Sequence, residues 1–227
     1  MPSTRPAESR KTRRDNKSEA LVISVCGMAG SGKSTVARKL ATKYHLKFFS
    51  GGDALKALAL KEGFRPMDCG WWESEEGLHF LKTRKSDQRY DKQVDEELLE
   101  IADKGNVVLD SWTMPWLLKK GFKIWLEASV EKRAERIAQR DKMSLEKALH
   151  ALKDKESQTK MIYRRLYGFR LGEDFKPFHF ILDTENLSAN EVFQVLCLAI
   201  DKTALSSAIS QNIVGACYSE GNSTSEV

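Results

Sequence analysis

The stretch Gly27-Met28-Ala29-Gly30-Ser31-Gly32-Lys33-Ser34-Thr35 constrains this chain more than any other. Its first eight residues fit the spacing G-x-x-x-x-G-K-[ST]. Glycines at those positions let the backbone turn with successive N–H groups facing inward, which makes a seat for phosphate oxygens. Upstream, Leu21-Val22-Ile23-Ser24-Val25-Cys26 is a short, β-branched apolar run that ends at glycine, the pattern of a strand buried on both faces. Downstream, Lys33 to Tyr44 carries Val36, Ala37, Leu40 and Ala41 on one stripe, as an amphipathic helix does. A helix that starts at such a loop adds its positive end to the anion seat. In that setting Lys33 reaches β- and γ-phosphates and the Ser34 hydroxyl ligates Mg²⁺. The expectation is a loop, Gly27 to Thr35, that binds ATP with magnesium.

The rest of the chain repeats the alternation. Strand-like runs lie at Leu46–Phe49, Asn106–Asp110, Phe122–Leu126 and Phe178–Leu182. Helical patterns start at Asp53 and cover Asp91–Lys104, Val130–Arg140, Ser144–Tyr167 and Ala189–Lys202. Five strands alternating with helices imply right-handed crossovers, hence an α/β fold of three layers: a five-stranded parallel sheet with helices on both faces. Residues 63–86 read as irregular, rich in aromatic and charged side chains.

One domain, 20–202, accounts for this alternation, and 227 residues suffice for its core. Residues 1–19 have no apolar face and read as a basic disordered tail, open to weak contact with RNA or another acidic partner. Residues 203–227 read as a polar, flexible tail. A net charge of +5 suits a binder of polyphosphates and falls short of a DNA-binding protein. No apolar run approaches the ~20 residues of a membrane span, and the charged N-terminus has no signal-peptide pattern, so a cytoplasmic location is expected. The four cysteines, Cys26, Cys69, Cys197 and Cys217, are too scattered for a zinc site or a disulfide framework. Assembly as a monomer or as a small homo-oligomer stays open.

Asp110 closes the third strand, and in an open α/β sheet the carboxyl ends of strands face the ligand crevice. It is therefore expected to hold magnesium directly or through water. Arg133, Arg136 and Arg140 recur at i, i+3 and i+7 on one helical face. Where a phosphoryl group is transferred, arginines stabilise the spreading charge. The alternative is a solvated face paired with Glu131 and Glu135. The stretch Asp141 to Arg165 is too polar for core and suits a mobile helical lid (about 141–165) that excludes water. Lys153, Lys155, Arg164 and Arg165 are secondary candidates there.

With these residues in view, the chain resembles the P-loop nucleoside monophosphate kinases, most closely the cytidylate kinases of archaeal type. The resemblance rests on Val22 to Thr35, Phe49-Ser50-Gly51-Gly52-Asp53, Gly105 to Asp110, Lys123 to Ser129, Arg133 to Arg140 and Tyr163 to Gly168. It implies transfer of the γ-phosphoryl group of ATP to CMP or dCMP, with catalysis by positioning and electrostatics. Asp53 matches the family's acid at the start of the monophosphate-binding helix. The acceptor half departs from the pattern. Lys56 and Trp112 stand where the family has arginine, Glu97 and Leu98 replace an Arg-Gln pair, and Ile162 replaces the arginine of an Arg-Tyr pair. Other cations, such as Lys56, Arg84 or Arg89, would then hold the acceptor, and an arginine at position 112 would return a bidentate partner to its phosphate. Two alternatives stand beside this reading. One is a small-molecule kinase with Trp71, Trp72 and Trp112 lining another acceptor's pocket. The other is a nucleotide-binding ATPase tied to RNA or to assembly.

Overall fold

A computed structural model describes residues 20–67 and 70–217, with side chains as far as Ala204. The expected basic tail at 1–19 lies outside the described residues, as do Cys69 and residues 218–227. Five strands form one parallel sheet in the order β2-β3-β1-β4-β5. They are β1 Val22–Gly27, β2 Lys47–Ser50, β3 Val107–Asp110, β4 Phe122–Glu127 and β5 Phe180–Asp183. Every residue of the central β1 is buried, as its unbroken apolar run requires.

Alternation along the strands assigns each face its helices. Ile23, Val25, Val108 and Ile124 pack with Val36 and Leu40 of helix α1 (Lys33–Lys43) and with Val192 and Leu196 of the last helix. On the other face, Val22, Val107 and Leu109 pack with Leu55, Ala59, Val94 and Leu98. These come from α2 (Gly51–Lys61) and α4 (Arg89–Lys104). The Ser50 side chain caps α2 by accepting from the Asp53 N–H at 3.2 Å, so the helix starts two residues before the expected Asp53.

The described residues of 63–86 hold more regular structure than expected. A 3₁₀ turn at Trp71–Glu73 leads into helix α3 (Glu75–Ser86), which Ser74 caps by accepting from Gly77 N–H. Phe64, Trp71, Trp72 and Tyr90 cluster around the buried ring of Phe80. A four-residue helix, α5 (Met114–Leu117), follows β3 and also went unforeseen. Helix α6 (Val130–Asp141) packs on α7 (Leu145–Tyr167) through Ala134, Ile137, Ala148 and Leu152. The expected lid is therefore mostly α7, and that helix, expected to be too polar for core, buries one face. Helix α8 (Ala189–Cys217) runs well past the expected end at 202, through part of the stretch expected as a flexible tail. No helix among the described residues is long and apolar enough to cross a membrane.

The register aligns the carboxyl ends of three strands. Val25 and Ser50 both pair with Asp110, and Gly27 pairs with Leu126. Gly27, Ser50 and Asp110 thus share one rim of the sheet.

Candidate active site

At that rim the chain turns from β1 into α1 through the glycine loop. Gly27 has φ +150° and Gly30 φ +80°. A Cβ at Gly27 would lie 2.5 Å from the Leu126 carbonyl oxygen, and one at Gly30 2.6 Å from that of Arg133. Both positions need glycine for space as well as for backbone freedom. Above the loop lies a cavity of about 290 Å³, lined by Lys33, Ser34, Asp53, Asp110, Trp112 and Arg140 among others. A second cavity, about 430 Å³, lies against Gly32, Thr35, Arg136, Gln139 and Thr184. The two share Gly30, Lys33, Ser34 and Arg140, so they meet at the start of α1.

Asp110 is 4% exposed at the end of β3. Burial pushes its carboxyl up, against the pull of the Lys33 ammonium and the Ser34 hydroxyl. Trp112, expected in the acceptor site, lines the first cavity but turns its polar edge to the loop. Its Nε1–H donates to the Gly27 carbonyl oxygen at 2.6 Å, and the Lys33 ammonium lies 5.4 Å from its ring centroid. Trp112 thus supports the glycine loop as well as lining the cavity.

The arginine stripe separates into three roles. Arg133 is 6% exposed and donates to the carbonyls of Ala128 at 3.1 Å and Ala29 at 3.0 Å, and it is paired with Glu156. Its guanidinium ties the loop to α7, which corrects the expectation that it faces the transferred phosphoryl group. Arg136 donates to the Thr184 carbonyl at 2.6 Å and the Thr184 hydroxyl at 3.1 Å, beside the second cavity. Arg140 borders both cavities and pairs with Glu73 at 3.2 Å and with Asp141 at 2.6 Å. Residues i, i+3 and i+7 share a narrow arc but spread over about 10 Å along the helix axis, so each meets a different neighbour.

The expected acceptor cations also diverge. Arg84 lines the first cavity, 3% exposed, and holds Asp91 through Nη2–Oδ1 at 2.5 Å and Nε–Oδ2 at 3.2 Å. Burial alone would depress its guanidinium, but Asp91 outweighs that and holds it protonated. Lys56 lines the cavity and donates to the Met67 carbonyl at 2.8 Å. Asp53 is exposed there and pairs with Arg38 at 3.1 Å. Arg89, by contrast, is exposed, pairs with Asp87 and lies outside both cavities.

Glu73, Lys155 and Asp95, far apart in the sequence, also line the first cavity. Lys155 of α7 donates to Glu73 at 2.9 Å, and its ammonium lies 5.4 Å from the ring centroid of Trp72 and 5.9 Å from that of Trp112. Burial pulls Lys155 down and Glu73 pulls it back only in part. Burial lifts Glu73, yet Lys155 and Arg140 outweigh it and hold the carboxylate below its usual range. Deeper still, Asp95 accepts from the hydroxyls of Thr113 at 2.5 Å and Tyr167 at 2.6 Å. Burial raises it to about 6 despite those bonds, and Asp91 adds to the rise. One turn beyond Lys155, the Thr159 hydroxyl lies wholly buried at the cavity wall without a hydrogen-bond partner.

Comparison with known proteins agrees with this architecture. A crystal structure of an uncharacterized protein from Eubacterium ventriosum superposes with a TM-score of 0.58 at 16% identity, covering 81% of this chain and 99% of that one. A shikimate kinase from Bacteroides thetaiotaomicron gives a TM-score of 0.50 at 13% identity, covering 80% and 98%. At such identities the shared property is the fold. The sequence relatives go further. A cytidylate kinase of Pyrococcus horikoshii is 34% identical over 184 residues, covering 81% of this chain and 90% of the relative. A cytidylate kinase of Methanocaldococcus jannaschii is 31% identical over 186 residues, covering 80% and 98%. Residues 22–186 match the cytidylate kinase-like family, a span that takes in both cavities' loop, the buried Asp110 and the whole of α7. The chain belongs to the cytidylate kinase-like family.

Proposed function

We propose that the chain transfers the γ-phosphoryl group of ATP to a nucleoside monophosphate, CMP or dCMP, giving ADP and CDP or dCDP. The observation that carries this reading is the junction of the two cavities. A donor and an acceptor in separate pockets would meet over Lys33, Ser34 and Arg140. An oxygen of the acceptor's phosphate attacks the γ-phosphorus as the bond to the ADP oxygen breaks. Little covalent work is left to the protein, so position and charge carry the catalysis.

In this reading Gly27 to Thr35 wraps the donor phosphates and Lys33 meets the β- and γ-oxygens. Arg136 and Thr184 border the pocket for the rest of ATP. Asp110 and the Ser34 hydroxyl would hold Mg²⁺. Among the described residues no group of three or more His, Cys, Asp or Glu is arranged to hold a metal by itself. One buried carboxylate beside a hydroxyl, completed by phosphate oxygens and water, fits a magnesium site of this kind. When bound, the ion would neutralise charge on the donor phosphates. Arg140 and Lys155 face the acceptor side, while Arg84 and Asp91 shape the wall beyond them.

A second reading, a different small acceptor, is favoured by the aromatic wall of Trp72 and Trp112 in the first cavity. One assay separates the two: ADP release with a panel of nucleoside monophosphates beside polyols and hydroxy acids. CMP or dCMP is expected to give the highest kcat/KM. Release driven only by a non-nucleotide acceptor would favour the second reading.

A further inference from the structure

The first cavity is rich in cations, yet most of them are already engaged. Arg84 is locked to Asp91 by two hydrogen bonds at a buried site, and Arg38 pairs with Asp53. Lys56 donates to a backbone carbonyl, and Lys33 belongs to the phosphate loop. Lys155 and Arg140 differ from these because one carboxylate bridges them. Glu73 accepts from Lys155 through Oε1 at 2.9 Å and from Arg140 through Oε2 at 3.2 Å. Its side chain is 2% exposed and that of Lys155 is 13% exposed. Arg140, half exposed, is also shared with Asp141.

Lys155 and Lys33 lie near the same ring, 5.9 Å and 5.4 Å from the Trp112 centroid. Two ammonium groups around one indole repel each other and favour an anion placed between them. Glu73 supplies one negative charge there. A phosphate monoester at neutral pH supplies nearly two and has three oxygens to share, so it forms more charge-assisted bonds to the same donors.

We propose that Glu73 is an internal stand-in for the acceptor's phosphate, so that carboxylate and phosphate monoester compete for Lys155 and Arg140. The inference rests on the monophosphate-kinase reading for its acceptor, but the competition itself concerns any phosphate dianion. Displacing Glu73 sets a threshold that a neutral acceptor does not cross. The same exchange leaves Lys155 with a counterion in both states, which a buried ammonium needs.

The test is calorimetric titration of the full chain with its phosphate loop filled by a non-hydrolysable ATP analogue and magnesium. The probes are inorganic phosphate, CMP and cytidine. Glu73→Gln keeps the shape of the side chain and removes the competing charge. It is expected to bind inorganic phosphate and CMP about ten-fold tighter than the unaltered chain, the scale of one charge-assisted bond, with cytidine unchanged. Arg140→Gln, at the half-exposed end of the cluster, is expected to weaken both anions about ten-fold and again to spare cytidine. Equal or weaker phosphate binding by a folded Glu73→Gln protein overturns the proposal. Should that variant not fold, unchanged phosphate affinity in Arg140→Gln overturns it equally. If inorganic phosphate responds as expected while no variant binds or turns over CMP, the competition stands and the nucleotide reading fails.

Discussion

Trp112 holds Gly27: its indole N–H donates to the glycine carbonyl at 2.6 Å, while the Lys33 ammonium lies 5.4 Å from the same ring's centroid. Trp112 is therefore part of the frame of the glycine loop. Trp112→Phe keeps a ring and removes the donor. ATP affinity is expected to fall about five- to ten-fold, the scale of one lost hydrogen bond, with little change in KM for CMP. Trp112→Arg is expected to lose activity without any gain in kcat/KM for CMP, because it removes the ring and the bond that hold Gly27. A gain with CMP would show that the side chain serves the acceptor instead.

Lys33→Ala is expected to fold normally and to lose about 10²–10³ in kcat, the cost of removing a preorganised donor from developing charge. Circular dichroism and steady-state turnover check both halves of that statement. Near-normal turnover from the folded variant would contradict the role given to the loop.

Arg133 and Arg136 are expected to fail in different ways. Arg133→Ala strands Glu156 in a buried position and frees the carbonyls of Ala29 and Ala128, so stability is expected to drop by about 3–5 kcal/mol. Denaturant titration measures it. Arg136→Ala releases Thr184 beside the second cavity and is expected to raise KM for ATP more than it lowers kcat. Equal stability of Arg133→Ala and the unaltered chain would contradict the tying role given to that side chain.

How much of this could be read from the sequence depends on the range of the interactions. All five strands are legible because each is a short apolar run with a turn residue or acid near its end. The phosphate loop is legible because its glycines, lysine and serine are contiguous. Helix α3 is not, since the side chains it buries include Arg84 as well as Phe80 and Leu81, and the buried charge breaks the apolar pattern. The Glu73–Lys155 pair joins residues 82 positions apart, and only the packing of α7 against the 3₁₀ turn brings them together. The i, i+3, i+7 spacing of the arginines correctly names a helical face. It carries no information on which neighbour each one meets.

Asp95 gives the chain a pH dependence with a definite sign. Its folded carboxyl titrates near 6, above its unfolded value of 3.8, so the folded state binds the extra proton. The stabilisation is complete below about pH 4 and is lost as pH rises to about 6, amounting to about 3 kcal/mol. Asp95→Asn keeps an accepting oxygen for one of the two hydroxyls, turns an N–H to the other, and does not ionise. Its stability is expected to fall less than that of the unaltered chain between pH 4 and 7. Parallel pH profiles for the two proteins would show that Asp95 ionises at its ordinary value.

The most direct measurement of the central claim follows the phosphoryl group itself. The chain is incubated with magnesium, ATP labelled at its γ-phosphorus and CMP, and the nucleotides are separated. Label is expected to appear in CDP in step with ADP formation, and Lys33→Ala is expected to abolish both. ADP formed with its label only in inorganic phosphate, for CMP and for every other monophosphate tried, would contradict the claim and make the chain an ATPase.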